Sequence, residues 1–115
     1  MHEMTKHTAI PPKVKRKVWD RDGHCCILCG NPRAYANAHY IRRSQGGKGI
    51  EQNIVTLCPQ CHSDFDNGNK RIEYGEMIRD YLKGCYNNWD EKDLVYDKWS
   101  WTNENQEDRD PKTLL

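Results

Sequence analysis

Across 115 residues no run of apolar side chains approaches the roughly eighteen that a membrane-spanning helix needs. The opening stretch "MHEMTKHTAIPPK" also lacks the apolar segment that forms the core of a signal peptide. Both absences point to the cytoplasm and away from membranes. Apolar material is scarce throughout: the hydrophobic fraction is 36%, the charged fraction 30% and the mean hydropathy -1.07. One small domain can be built from this, two cannot, and so thin a core calls for a staple. Internal repeats and low-complexity tracts are missing as well.

Cysteine, by contrast, is plentiful, with six residues. In a reducing compartment, closely spaced pairs are metal ligands more often than disulfides. Cys26-x-x-Cys29 and Cys58-x-x-Cys61 together supply four thiolates, the number that a tetrahedral structural zinc requires. Cys25 competes with Cys26 for the first place, but the two-residue spacing to Cys29 favours Cys26. Cys25 and Cys85 are then left as spare or buried thiols.

The net charge of +1 conceals an asymmetry. Residues 1–50 carry ten Lys or Arg against three acids, and residues 51–115 carry eight against fourteen. A basic front half suits a polyanion such as nucleic acid. Ordinary solvated faces account for the same charges equally well.

Read for periodicity and punctuation, the chain predicts a small single α+β domain. Residues 1–10 show no pattern and are expected to be a flexible arm. In "IPPKVKRKVWDRDG" a short helix is expected, with Pro12 in its first turn, Val14, Val18 and Trp19 turned inward, and Gly23 ending it. Lys13, Lys15, Arg16, Lys17 and Arg21 would decorate its outside. "CCILCGNP" reads as a tight metal-binding turn, "YANAHYI" and "IVTLC" as the strands of a hairpin, and "RRSQGGKGIEQN" as its long tip. Pro59 and Cys58 suit the start of a helix over "PQCHSDFDN", which would place His62 and Asp66 one turn apart.

A further helix is predicted over "RIEYGEMIRDYLKGCY", with Ile72, Met77, Ile78, Tyr81 and Leu82 as its inner stripe and Gly84 as its terminator. Residues 87–115 form an acidic, tryptophan-rich tail. Its front would pack back through Trp89, Leu94, Tyr96 and Trp99, and its last dozen residues would be disordered. The domain proper then covers 11–86.

His39 on the first strand, Asn53 at the start of the second and His62 on the following helix can converge on one point. With the Cys clamp, "AHYI", the glycines at 46 and 47, "QNIVTLC" and "CH", residues 19–66 resemble the HNH endonuclease family. The resemblance implies a ββα-metal core and hydrolysis of DNA phosphodiester bonds. It implies His39 as general base, Asn53 as the group that orients the imidazole or organises the hairpin tip, and His62 as a metal ligand. Many members carry Asp or His just before the base, where this chain has Ala38, and alanine cannot bind a metal.

Asp66, at i+4 from His62, can present the missing carboxylate; alternatively it only ends the helix near "DNG". The catalytic cation would be divalent: Mg²⁺, Mn²⁺, Ni²⁺, Co²⁺ or Zn²⁺. Arg42, Arg43 and Lys48 follow His39 into the loop and would position the DNA backbone without reading its bases. Nothing resembles a base-reading helix, so double-stranded DNA would be bound with low sequence specificity.

The compact chain looks like the small HNH proteins of bacteriophages that work beside a DNA-packaging terminase, a setting in the host cytoplasm. It would act as a monomer or weak dimer. Two other classes stay open: a non-catalytic zinc module that binds nucleic acid, and a zinc-stabilised adaptor that uses the tail aromatics.

Overall fold

Alanines at 34, 36 and 38 alternate with Tyr35, Asn37 and His39. In the computed structural model, which describes residues 3–96, that alternation becomes strand β1 (Tyr35–His39), its alanines buried and its tyrosine and asparagine exposed. Strand β2 (Ile54–Leu57) pairs with it antiparallel, and all four of its residues are buried. Ala38 lies opposite Val55 and His39 opposite Ile54; one extra β1 residue between Tyr35 and Ala38 makes a bulge. Four helices surround the hairpin: α1 (Glu3–Thr8), α2 (Pro12–Arg21), α3 (Pro59–Asp66) and α4 (Arg71–Cys85).

Local chemistry explains most boundaries. Pro12 begins α2 where a missing N–H costs nothing, and Val18 is its fully buried anchor. Cys58 caps α3, its sulfur accepting the Cys61 N–H at 3.4 Å, and Pro59 follows in the first helical position. The core is small: Val55, Leu57, Phe65, Ile78 and Leu82 form the main cluster, and Val18 and Ile54 a second one under α2.

Two strands of this size are marginal in water and need a neighbour. Residues 22–27 supply it along the free edge of β2. Thr56 receives the Ile27 N–H on its carbonyl at 3.1 Å and donates its own N–H to Asp22 Oδ2 at 2.8 Å. The Asp22 side chain is fully buried and also accepts from Tyr81 at 2.5 Å and from Arg21 Nε at 2.7 Å. Arg21 in turn donates to the carbonyls of Glu51 and Ile54, both at 2.7 Å, and to the Tyr86 hydroxyl at 2.9 Å. One ion pair thus joins α2, β2 and α4.

The structure departs from expectation in several places. Arg21, expected on the outside of α2, turns inward to the Asp22 carboxylate, its side chain 16% exposed. Glu3–Thr8, expected to be part of an arm without pattern, forms a short helix. It is tied down by the His7 carbonyl, which accepts the Gly49 N–H at 3.0 Å, and by the His7 ring stacked on Tyr96 at 4.3 Å. Helix α4 continues through Gly84 to Cys85 and ends where Tyr86 turns extended. Only part of its apolar stripe is inward, for Ile72 is 77% exposed and Met77 45%. In the tail, Trp89 donates to the Gln52 carbonyl at 2.8 Å and Leu94 is buried, while Trp99 and the rest of 97–115 lie outside the described residues.

Asp22→Ala would leave the Arg21 guanidinium without its carboxylate and the Thr56 N–H without an acceptor. Breaking a buried pair costs about 3–5 kcal/mol. A urea titration of zinc-loaded protein should show the midpoint fall accordingly, whereas an unchanged midpoint would remove Asp22 from its role as the joint.

Candidate active site

Cys26, Cys29, Cys58 and Cys61 bring their sulfurs within 4.8 Å of one another. The first two sit in a tight turn in which Cys26 N–H donates to the Asn31 carbonyl at 2.9 Å and Gly30 N–H to the Cys26 carbonyl at 2.8 Å. Gly30 takes a left-handed φ of 83°, which favours glycine. The other two flank the start of α3. Cys25 stays outside the cluster, its sulfur 3.7 Å from the Asp22 carbonyl, so the choice between Cys25 and Cys26 falls to Cys26.

The donor set fits a zinc ion. Burial pulls the Cys26 thiol up, but N–H groups of Cys58, Cys29 and Leu28 outweigh it and bring the pKa down to about 7. Burial and hydrogen bonds with the other three thiols push Cys61 well up. Four thiolates this close repel unless a cation sits among them, and such an ion would lock α3 to the turn after α2.

Beside this clamp, a cleft of about 690 Å³ opens between the link from α1 to α2 (Ala9 and Ile10), β1, the hairpin loop and α3. His39, Arg42, Arg43, His62 and Asp66 line it, joined by Lys15 from α2. His39 is half-buried on β1 and donates from Nε2 to the Thr8 carbonyl at 2.8 Å. A carbonyl can only accept, so the contact fixes the tautomer: in the neutral ring, Nδ1 keeps the lone pair. Burial lowers the His39 pKa below its ordinary value; the Thr8 bond opposes this, while the charge of Arg43 adds to the lowering.

His62 and Asp66 meet as their helical spacing requires, with Nε2 3.0 Å from Oδ2. Together they would offer one imidazole nitrogen and one carboxylate oxygen to a divalent cation. Asp66 is held from behind. Arg71, stacked 4.0 Å over the Phe65 ring, points Nη1 at Asp66 Oδ1 across 3.6 Å and donates from Nη2 to the Tyr40 carbonyl at 3.1 Å. Arg42 donates to the Asp66 carbonyl at 2.9 Å. The sequence singled out neither Arg71 nor the Thr8 carbonyl.

Asn53 lies fully buried behind the cleft. Its Oδ1 accepts the Ile41 N–H at 2.9 Å, and its Nδ2 donates to the carbonyls of Lys48 and Ile41 at 2.9 and 3.2 Å. Of the two roles considered for it, these bonds match organisation of the hairpin tip; its amide makes no bond to His39 among these contacts. Gly47 completes the loop, because a Cβ there would stand 1.7 Å from the Ile41 carbonyl oxygen. Lys48 is not brought to the cleft: its ammonium donates to the Asp93 carbonyl at 3.1 Å. Ala38 is fully buried in the core cluster and does not line the cleft.

Residues 26–68, the hairpin with its Cys clamp and α3, match the HNH endonuclease family. The chain belongs to that family. Over 62 residues it is also 34% identical to Anaredoxin from Nostoc sp. (strain PCC 7120 / SAG 25.82 / UTEX 2576), a match that covers 53% of this chain and 82% of that protein. An HNH domain is of nuclease type and implies nucleic acid as partner. Among the described residues, no helix is long and apolar enough to cross a membrane.

Purified protein should carry about one zinc ion per chain, the stoichiometry of a four-thiolate site. Cys58→Ser should abolish it in metal analysis and lower the melting temperature, since it removes a ligand and the α3 cap together.

Proposed function

We propose that the protein is a metal-dependent HNH endonuclease that hydrolyses DNA phosphodiester bonds with low sequence specificity, its catalytic domain spanning residues 11–86 around the core at 19–66. The observation that carries this reading is the tether from His39 Nε2 to the Thr8 carbonyl. It leaves Nδ1 as the proton acceptor on a ring that lines a basic cleft.

In this reading His39 takes a proton from the attacking water, and its lowered pKa keeps the imidazole neutral at physiological pH. Arg42, Arg43 and Lys15 hold the DNA backbone by charge. Asn53 fixes the loop that carries Arg42 and Arg43. His62 and Asp66 hold the divalent cation, and Arg71 orients Asp66 from behind. When bound, the cation supplies Lewis-acid stabilisation of the charge that develops on the phosphate and the leaving oxygen. Mg²⁺, Mn²⁺, Ni²⁺, Co²⁺ and Zn²⁺ all suit one imidazole and one carboxylate with open positions. A compact HNH core, with no base-reading element among the described residues, suits a bacteriophage protein that works beside a packaging terminase.

The buried Ala38 favours a second reading, a zinc-stabilised module that binds nucleic acid without cutting it. Conversion of supercoiled plasmid to nicked and linear forms, with each divalent ion or none added, separates the two. The nuclease reading expects ion-dependent cutting that falls about 10²- to 10⁴-fold in His39→Ala, the usual contribution of a general base. DNA binding without cutting under any ion would establish the second reading.

Asp66→Ala should raise the divalent-ion concentration needed for half-maximal cutting while leaving the zinc content intact. If the ion requirement does not move, Asp66 is not a ligand. The pH profile gives a separate check. A base works only when neutral, so the rate should rise with pH through the His39 pKa, and the acid limb of kcat/KM should have its midpoint below 6.5. A midpoint above that value would assign the limb to another group.

A further inference from the structure

A second cleft, of about 670 Å³, lies on the far side of Lys15 and Asn37, and these two residues line both clefts. Its other walls include Arg16, Trp19, His24 and Tyr35. We propose that this cleft is a subsite for an unpaired nucleotide next to the strand being cut, which makes DNA with an interrupted duplex beside the cut the preferred substrate. The inference rests on the nuclease reading above and adds the substrate class.

Three observations carry it. The first is an open aromatic face. Tyr35 is 60% exposed on β1, and its neighbours on the cleft floor, Ala34 and Ala36, are too small to cover its ring. Across the cleft Trp19 is stacked with His24, ring centroids 4.9 Å apart and planes 7° from parallel. His24 holds this position with a left-handed φ of 62°, uncommon outside glycine. Aromatic rings take up bases by stacking, and a base within a duplex has both faces already covered by its neighbours.

The second observation is charge. Lys15 and Arg16 give the α2 wall a positive sign suited to a phosphate backbone. The acidic member of the lining, Asp20, is paired with His24 at 2.9 Å. Stacking surfaces flanked by basic side chains are the usual means of holding single strands.

The third is alignment. Tyr35, Asn37 and His39 follow one another along the cleft side of β1. Four residues of strand span about 13 Å. That distance equals about four stacked base steps at 3.4 Å each. The unpaired base would therefore lie within about four nucleotides of the phosphate at His39.

The test uses full-length, zinc-loaded His39→Ala protein, which binds without cutting. Fluorescence anisotropy at low salt would compare a blunt duplex with the same duplex bearing a four-nucleotide unpaired tail. The tailed DNA should bind about tenfold tighter; Tyr35→Ala should reduce that ratio about tenfold, and Tyr35→Phe, which keeps the ring, should preserve it. Zinc content and circular dichroism would verify that each variant is folded. Equal affinity for the two DNAs, or a ratio unaffected by Tyr35→Ala, overturns the subsite. If wild-type protein cuts plasmid and the subsite fails, only the subsite falls; if neither cutting nor binding is seen, both readings fall.

Discussion

The buried carboxylate of Asp22 holds a position on which the rest of the domain depends. A hairpin of five and four residues cannot stand alone, and one edge of β2 would otherwise face solvent with unpaired backbone groups. Asp22 closes that edge at Thr56, and Ile27 continues the pairing in place of a third strand. The same carboxylate meets Arg21, whose guanidinium reaches the loop before β2 and the end of α4. A chain with little apolar material thus uses one hydrogen-bonded charge pair where a larger protein would use core volume. Five acceptor atoms arranged around a single guanidinium and four donor atoms around a single carboxylate satisfy nearly all the polar atoms that this arrangement buries.

The Cys cluster does comparable work one step along the chain. It sits where the turn after α2 meets the start of α3, and the second pair of sulfurs belongs to the same helix as His62 and Asp66. The position of His62 relative to His39 is therefore set by two devices in series: the strand pairing of β1 with β2, and the clamp that fixes the direction in which α3 leaves β2. Asn53 adds a third constraint by closing the loop that separates the two histidines, and none of its three bonds is to a group that lines the cleft except through the backbone of that loop.

Much of this was legible in the sequence because it is written in local chemistry. The Cys pairs, Pro12, the Cys58-Pro59 step and the i, i+4 spacing of His62 and Asp66 each act within a few residues, and each appears in the structure as its spacing implies. What escaped depends on distant backbone. The acceptor for His39 is a main-chain carbonyl 31 residues away, at the end of a segment with no hydrophobic period to announce it. Lys48 adjoins the cationic loop in sequence, yet its N–H bonds to the Leu94 carbonyl and its ammonium to Asp93, so the returning tail draws it away from the cleft. Ile72 and Met77 fit the helical period but α4 meets the core along a narrower line, through Ile78 and Leu82.

The alternation along β1 has an evolutionary side. Ala36 and Ala38 face inward and are tightly enclosed, so substitutions there are paid for in stability; Tyr35 and Asn37 face outward and touch little of the core. Residues 35 and 37 can therefore change without disturbing the strand that carries His39. On the subsite reading proposed above, drift at those two positions would retune which strands a lineage handles while the folded frame stays the same.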